Sequence, residues 1–387
     1  MTGVSSEITI RATSTHNNQI VNTKTISVDT SHHYERDYIT IESLDDDNTI
    51  SLTNFQGLTN PTLQYSQDGG QTWTGVTSVK NQTIDVVTIN QGDVILLKSN
   101  RNNVPWANSR SAYNGIRTSG RINISGNILS LMAGDNFLSY DESVLPSYTF
   151  LQLFSGAKVV DASNLVLPLI TGTSCYDGMF RDCITLTYAP TLPATTLNVD
   201  CYREMFYGCT SLTTAPSLPA TTLASGCYRS MFDRCSSLTN VPNLPATTLA
   251  SDCYRAMFNL CVSLTNVPSD LLPATTLASS CYKYMFCDCE NLVAAPVLPA
   301  TTLVNNCYEY MFGSDIQNQN FKLASIVCLA TSLSATDALK NWVSWTLAQS
   351  SIANGTFTKA AGVTWSTGVS GIPTGWTVED YVEPNNE

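Results

Sequence analysis

Cysteines recur at fixed intervals through the middle of this 387-residue chain, and their thiols offer the widest choice of chemistry. The pattern Cys-Tyr-x-x-Met-Phe, here called the Cys-Tyr box, occurs six times at steps of 26, 26, 26, 28 and 26 residues. In five copies another cysteine follows eight residues after the first. Thiolates can bind zinc, form disulfides or act as nucleophiles. The cysteines concerned are Cys175, Cys183, Cys201, Cys209, Cys227, Cys235, Cys253, Cys261, Cys281, Cys289 and Cys307.

The surroundings of these cysteines argue against each chemistry. Zinc needs four ligands within tetrahedral reach, and the histidines, His16, His32 and His33, lie far upstream. Disulfides stay open for an exported protein, but the total of 13 cysteines is odd and stacked equivalents have parallel side chains. A catalytic thiol needs a basic partner, whereas these lie beside Met and Phe. We therefore predict a packing role, with no metal, cofactor or catalytic residue.

Each repeat unit must contain elements that bury the box. Leu-Thr-x-x-Pro predicts a short extended segment that ends at proline, and Leu-Pro-Ala-Thr-Thr-Leu predicts a turn. Cys, Met/Phe and Cys at i, i+4/i+5 and i+8 are interpreted as one apolar face of a helix. Because one unit cannot bury this face alone, about seven stacked units over 146–326 are expected to share a core. The predicted core phenylalanines are Phe180, Phe206, Phe232, Phe258, Phe286 and Phe312.

A family resemblance follows from these residues. Met-Phe-x-x-Cys-x-x-Leu-Thr at Met231–Thr239 resembles the Ala-Phe-x-x-Cys-x-x-Leu-Thr core of BspA-type leucine-rich repeats. The LPATTL spacer and the Cys-Tyr box look like a subfamily common in surface proteins of gut bacteria and in their phages. Residues 355–378 are similar to the cap that follows such arrays. The resemblance covers about half the chain and implies a solenoid used for adhesion or recognition, although this chain has Met in place of Ala and no recognisable export signal.

The flanking regions predict smaller β-rich units. Runs of Ile, Val and Thr between Gly, Asn and Asp predict an N-terminal β segment over 1–35 and an all-β sandwich-like domain over 36–140. A C-terminal cap over 327–387 is expected to combine an amphipathic helix at 334–349 with a hairpin at 355–381. The predicted fold class is β-rich and multidomain, with all-β N-terminal domains, a leucine-rich-repeat solenoid and a small α+β cap.

Two short N-terminal motifs suggest sites. SQDGGQTW (66–73) matches the Asp-box of sialidases, but the box is structural there, so we predict a hairpin turn with Trp73 packed beneath it. ESLDDDNT (42–49) suggests calcium, but it lacks the spaced ligands and the glycine of an EF-hand loop. We interpret it as a solvated hairpin turn.

Charge and variation within the units indicate the partners. A formal charge of −12 argues against nucleic acid, and no apolar run approaches the ~18–20 residues that span a membrane. Positions that vary inside the constant frame are expected to face solvent, where a basic and aromatic stripe could bind an acidic glycan or a protein. The alternatives are an edge without a ligand, or binding at Thr213, Thr239 and Thr265. The candidate binding residues are Arg203, Tyr207, Arg229, Arg255, Lys283, Tyr284 and Tyr310.

These observations predict a non-enzymatic recognition or adhesion protein. The leading hypothesis is a phage fibre or receptor-binding protein on the virion exterior. Its residues 1–140 would bind other virion proteins, and its solenoid would contact a glycan or protein of the bacterial host. That role predicts a homo-oligomer, and a trimer is the state we expect. The alternative is an adhesin on the bacterial cell surface, and the third hypothesis is a secreted glycan-active enzyme.

Overall fold

The computed structural model describes residues 6–13, 20–28, 37–55, 62–77, 79–100, 106–141, 145–169, 171–314, 321–343 and 355–383. These residues are β-rich, with one four-residue helix, α1 (Ser130–Ala133), and a 3-10 helix at Gly134–Ser139. The strands in chain order are β1 (Ser6–Thr13), β2 (Ile20–Val28), β3 (Ile39–Ser43), β4 (Asn48–Phe55), β5 (Thr62–Ser66), β6 (Thr74–Thr77), β7 (Gln82–Ile89), β8 (Val94–Ser99), β9 (Ala107–Ser109), β10 (Ala112–Thr118), β11 (Ile122–Asn127), β12 (Val159–Val166), β13 (Ser325–Cys328), β14 (Thr356–Lys359) and β15 (Thr377–Asp380).

The N-terminal region contains three sheets. Strands β1 and β2 form an antiparallel pair. A four-stranded sheet has the order β7-β4-β10-β9, and a six-stranded sheet has the order β12-β11-β3-β8-β5-β6. Alternate residues of β3, such as Ile39 and Ile41, are buried with Ile50 and Leu52 of β4 in the hydrophobic core, as the period of two in these strands requires.

The acidic segment at 42–49 connects two sheets. Strand β3 belongs to the six-stranded sheet and β4 to the four-stranded sheet, so the hairpin expected here is wrong. Asp45 accepts hydrogen bonds from the backbone and guanidinium of Arg121, and Asp46 accepts one from the Gln91 N–H. These hydrogen bonds hold the connection between the two sheets against Gln91, which follows β7, and against Arg121, which precedes β11.

The first repeat unit precedes the first Cys-Tyr box and stacks Phe150 on Tyr176 and Phe154 on Phe180. This unit continues the six-stranded sheet. Strand β12, which lies in this unit, pairs in parallel with β11 of the N-terminal region. On its other side Asp161 forms a bridge with Tyr188 of the next unit. The Trp106 N–H also donates to the Thr149 carbonyl at 2.9 Å. The stack of repeat units therefore begins on a sheet edge that would otherwise be open.

The Cys-Tyr box is a run of turns, and the helix expected from its spacing is wrong. The N–H groups of Tyr202, Glu204 and Phe206 donate to carbonyls of the next unit at 2.9–3.0 Å. The residues between them donate three residues back, as the Met205 N–H does to Tyr202 at 3.3 Å. Every fourth residue has a positive φ, 53° at Glu204 and 70° at Gly208. Half of the backbone N–H groups thus bond to a neighbouring unit, which no α-helix allows.

The same period of four organises the core. Two residues point inward and two outward in each turn, so the box pairs Cys-Tyr and Met-Phe are buried while the pairs between them are not part of the apolar core. Equivalent rings of successive units stack, with centroids 5.5–6.0 Å apart in the tyrosine column and 5.6–5.8 Å in the phenylalanine column. These apolar columns dominate the stability of the stack, since each buried large side chain contributes about 1.5–3 kcal/mol.

The C-terminal region continues the stack and closes it. The described part of the expected amphipathic helix, 334–343, is another run of turns, so that prediction is wrong there; 344–349 lies outside the described residues. Asp337 and Asn341 have φ values of 53° and 50°, and the Phe312 N–H donates to the Trp342 carbonyl at 2.8 Å. The hairpin expected at 355–381 is also wrong, because β13, β14 and β15 pair in parallel.

Candidate binding surface

The outward residues of the turn runs form columns along the stack, because equivalent positions of successive units lie side by side. We number three of them after the box cysteine. The first column contains Asp177, Arg203, Arg229, Arg255, Lys283 and Glu309. The second contains Gly178, Glu204, Ser230, Ala256, Tyr284 and Tyr310. The third contains Arg181, Tyr207, Asp233, Asn259, Cys287 and Gly313. Every candidate binding residue lies in one of these columns. The expectation that the varying positions face solvent is wrong for Asp177, Asp233, Cys287 and Glu309, which are buried.

Acidic residues close the first column at both ends. Asp177, 4% exposed, accepts a hydrogen bond from Arg110 at 2.9 Å, and Arg203 lies 3.9 Å from the same carboxylate. At the other end, Glu309 binds Lys283 at 2.6 Å. Although burial disfavours the charge of Arg110, its hydrogen bonds to Asp200 and Asp177 raise the pKa of this group above its ordinary value. Lys283 is therefore paired with Glu309 within the protein. Arg203 makes a longer ion pair with Asp177.

The centre of the first column carries an unpaired cation. Arg255 pairs with Asp252 at 3.2 Å, and Arg203 pairs with Glu204 at 2.8 Å. The side chain of Arg229, between them, has no hydrogen bond or ion pair to any residue that the structure describes, although its backbone N–H and carbonyl are bonded within the stack. Burial, followed by repulsion from Arg255 and Arg203, lowers its pKa from the ordinary value. The guanidinium of Arg229 is thus the group in this column that lacks its counter-charge.

The second column combines short side chains with an aromatic pair. Ser230 and Ala256 stand beside Arg229 and Arg255, where the next units have Tyr284 and Tyr310. The two tyrosine rings are stacked, with centroids 5.1 Å apart, and the Tyr310 hydroxyl accepts a hydrogen bond from Asn341 at 2.7 Å. The pair is therefore held by contacts along the stack.

The third column engages Tyr207 and buries a carboxylate. The Arg181 guanidinium lies 4.0 Å from the centroid of Tyr207 and that of Arg234 lies 5.9 Å away, a cation–π arrangement that occupies this ring. Asp233 is only 8% exposed and accepts a hydrogen bond from Asn259 at 3.0 Å. Burial raises the pKa of Asp233 to about 7. Sequence reasoning missed Asp233 as a titratable group because its column also contains Arg, Tyr, Asn, Cys and Gly.

The structure places all 13 cysteines in the interior as free thiols. In five units the second cysteine donates a hydrogen bond to a phenylalanine carbonyl of the preceding unit, as Cys209 does to Phe180 at 3.1 Å. Burial raises the pKa of Cys201 and Cys183 to about 12. Such thiols are poor nucleophiles at neutral pH, because the thiolate is the reactive form. The predicted core phenylalanines are buried as well.

The Asp-box forms the hairpin turn between β5 and β6, as predicted. Asp68 accepts hydrogen bonds from the backbone and hydroxyl of Thr72 at 2.9 and 2.6 Å, and these lower the pKa of its carboxyl group. The Trp73 indole donates to the Gly70 carbonyl at 3.1 Å, and the Lys98 ammonium lies 4.1 Å from its ring centroid. The side chains of Ser66, Asp68, Thr72 and Trp73 thus hold the turn together.

The described residues contain no cluster of three or more His, Cys, Asp or Glu side chains arranged to hold a metal ion. Nor does any helix within them have the length and apolar character needed to cross a membrane. Comparison of the chain with family profiles, with curated proteins and with solved structures found no match.

Proposed function

We propose that the repeat units form a leucine-rich-repeat solenoid of the BspA type and that the protein is a non-enzymatic receptor-binding component of a phage virion. The observation that carries this proposal is the contrast between the two sets of side chains in each turn. The inward pairs are Cys-Tyr and Met-Phe in unit after unit, whereas the outward columns change from Arg to Lys or from Ser to Tyr. A constant frame with variable outward positions suits recognition.

Rigidity of the frame supports a binding role. Hydrogen bonds between units and the stacked aromatic columns hold equivalent outward side chains at a repeated spacing. Residues held on rigid elements lose little conformational entropy when a ligand binds, which favours affinity. Because the columns run along the stack, they suit an extended ligand such as a glycan chain or a surface protein of the host.

The N-terminal β region has a separate role in this proposal. Residues 1–140 would bind other virion proteins, with the repeat columns left to contact the host. Fibres of this kind are symmetric homo-oligomers, and a trimer is the state we propose. An adhesin anchored on a bacterial cell would use the same outward columns, so the location of the protein separates the two hypotheses.

Fractionation of the native source tests the proposal. Lysates of the producing culture are separated on a density gradient, and the protein is located with an antibody against the full chain. We expect it to co-sediment with virus particles, and we expect that antibody to block adsorption of the particles to host cells. Recovery in the cell-envelope fraction would instead establish the adhesin. Hydrolysis of a host glycan by the purified chain, abolished by an Asp or Glu substitution, would establish an enzyme.

A further inference from the structure

The guanidinium of Arg229 has donors without acceptors. An arginine side chain carries five N–H donors, and none of those of Arg229 is hydrogen-bonded within the described part of the chain. The side chain is half-buried, so water reaches only part of it. The neighbouring Arg203 has a similar defect, since its Nε is fully buried and has no hydrogen-bond partner. The unsatisfied donors of Arg229, unlike the buried Nε of Arg203, are partly open to a ligand.

The acidic residues near Arg229 are already bound by other arginines. Asp200 and Asp252 are close enough to attract its charge. However, Asp200 accepts a hydrogen bond from Arg110 at 2.7 Å, and Asp252 lies 3.2 Å from Arg255. The positive charge at Arg229 is therefore available to a ligand that brings its own negative group.

Arginines of the adjacent units flank this position on both sides. The tyrosine rings of the three units lie 5.9 and 5.8 Å apart, which sets the spacing between the positions of Arg203, Arg229 and Arg255. Planar guanidinium groups bind carboxylate and phosphate oxygens in a bidentate manner. A line of three such groups favours an anion on an extended chain that runs along the stack.

The neighbouring column specifies the rest of the ligand. Ser230 and Ala256 are the shortest side chains next to the arginines, and they leave space beside Arg229 and Arg255. Further along, the stacked rings of Tyr284 and Tyr310 offer an apolar surface with polar tips. Sugar rings have both apolar faces and hydroxyl groups, so this surface matches a glycan better than it matches an acidic peptide.

We propose that Arg229, between Arg203 and Arg255, binds the carboxylate or phosphate group of an acidic polysaccharide, whose following sugars lie over Ser230 and Ala256 toward Tyr284. This inference rests on the proposed recognition function and names its ligand class. The anionic group would accept the N–H donors of Arg229 that lack a partner, and the positive charge of Arg203 would add to the attraction. Arg255 would add charge while keeping its pair with Asp252.

Calorimetric titration of the full chain tests the site. The probes are polygalacturonate for a carboxylate, poly(ribitol phosphate) for a phosphate and dextran as the neutral polymer. We expect one of the acidic polymers to bind and dextran not to bind, and the affinity should fall as salt is raised. Loss of a charge-assisted bidentate contact predicts that Arg229→Gln weakens binding about tenfold or more. The affinity of Arg229→Lys should lie between that of Arg229→Gln and that of the unchanged protein.

The matched control is Lys80→Gln, which removes one exposed cation from the N-terminal region. It should leave affinity unchanged, and all variants should keep the thermal transition of the unchanged protein because the Arg229 guanidinium has no internal partner. Equal binding by Arg229→Gln and the unchanged protein, or no binding of either acidic polymer, would overturn the site. Adsorption of the unchanged chain to host cells is measured in parallel. Adsorption that Arg229→Gln retains overturns the anion site alone, whereas no adsorption at all overturns the proposed recognition function.

Discussion

The indole of Trp342 lies over the ring of Tyr308, with ring centroids 6.3 Å apart and planes inclined by 29°. Tyr308 is the last member of the tyrosine column, and Trp342 is also 6.2 Å from Phe312, the last of the phenylalanine column. One fully buried side chain thus covers the ends of both columns. Trp365 stacks on its other side at 5.9 Å, so the cap continues the aromatic packing outward.

We expect Trp342→Ala to destabilise the chain by about 3–5 kcal/mol, because it opens a cavity at the end of both columns and removes the hydrogen bond from the indole to the Gly371 carbonyl. Chemical denaturation followed by circular dichroism measures the change. Trp342→Phe keeps an aromatic ring and should therefore lower the free energy of unfolding by less than Trp342→Ala does. Val378→Ala, at a residue 44% exposed in the same cap, should change stability by no more than about 0.5 kcal/mol. Equal effects of Trp342→Ala and Val378→Ala would contradict the capping role.

The turn structure of the Cys-Tyr box makes an unusual prediction for Ala256. This residue has a φ of 54°, a left-handed conformation that costs a non-glycine residue roughly 1–2 kcal/mol. Ala256→Gly should therefore stabilise the chain by about 0.5–1 kcal/mol, after the entropy that glycine adds to the unfolded state is subtracted. In a helix the same change would destabilise by about the same amount. Urea unfolding of the variant distinguishes a run of turns from a helix at this position. A loss of stability would argue for the helix.

The buried cysteine thiols should be unreactive in the folded protein. Because burial raises their pKa, we expect little reaction with a thiol reagent at pH 8 under native conditions, as for Cys201 and Cys183 with values of about 12. In denaturant without reductant, all 13 thiols should react. Mass spectrometry after alkylation counts them. A lower count in denaturant would reveal disulfides, and rapid native modification would reveal an accessible thiolate.

Asp233 should make stability depend on pH near neutrality. Burial raises the pKa of its carboxyl group from 3.8 to about 7, so the folded chain favours the protonated form. The resulting contribution is fully present below about pH 4 and is lost as the pH rises through about 7. From pH 5 to pH 8, the unchanged protein should lose on the order of a few kcal/mol relative to Asp233→Asn, which cannot titrate.

Denaturant titrations at several pH values measure this difference. The exposed Asp270 supplies the control, since Asp270→Asn should follow the unchanged protein over the same range. Parallel curves for the unchanged protein and Asp233→Asn would mean that Asp233 titrates near its ordinary pKa in the folded state.

Much of the repeat architecture could be predicted from recurrence alone. Cys201 and Cys227 occupy equal places in successive units, and the structure buries both and stacks Tyr202 on Tyr228. The local backbone was misjudged because the pairs Cys-Tyr and Met-Phe fit both a helix and a run of turns. The paired spacing, with a period of four rather than 3.6, was the available signal. The choice depends on hydrogen bonds between units, such as Tyr202 to Cys227, which form only once units stack.

The sequence by itself determined the period of the stack, the identity of its inward side chains and the variable outward positions, because each follows from residue spacing within a unit. It could not distinguish Arg203, Arg229 and Arg255, which occupy the same position of the same box. Only the tertiary structure decided that Arg229 is the unpaired one. Arg110 binds Asp200, which lies 90 residues further along the chain, while Asp252 binds Arg255. Ion pairing depends on distance in space, and for Arg110 and Asp200, which are far apart along the chain, that distance is set by packing.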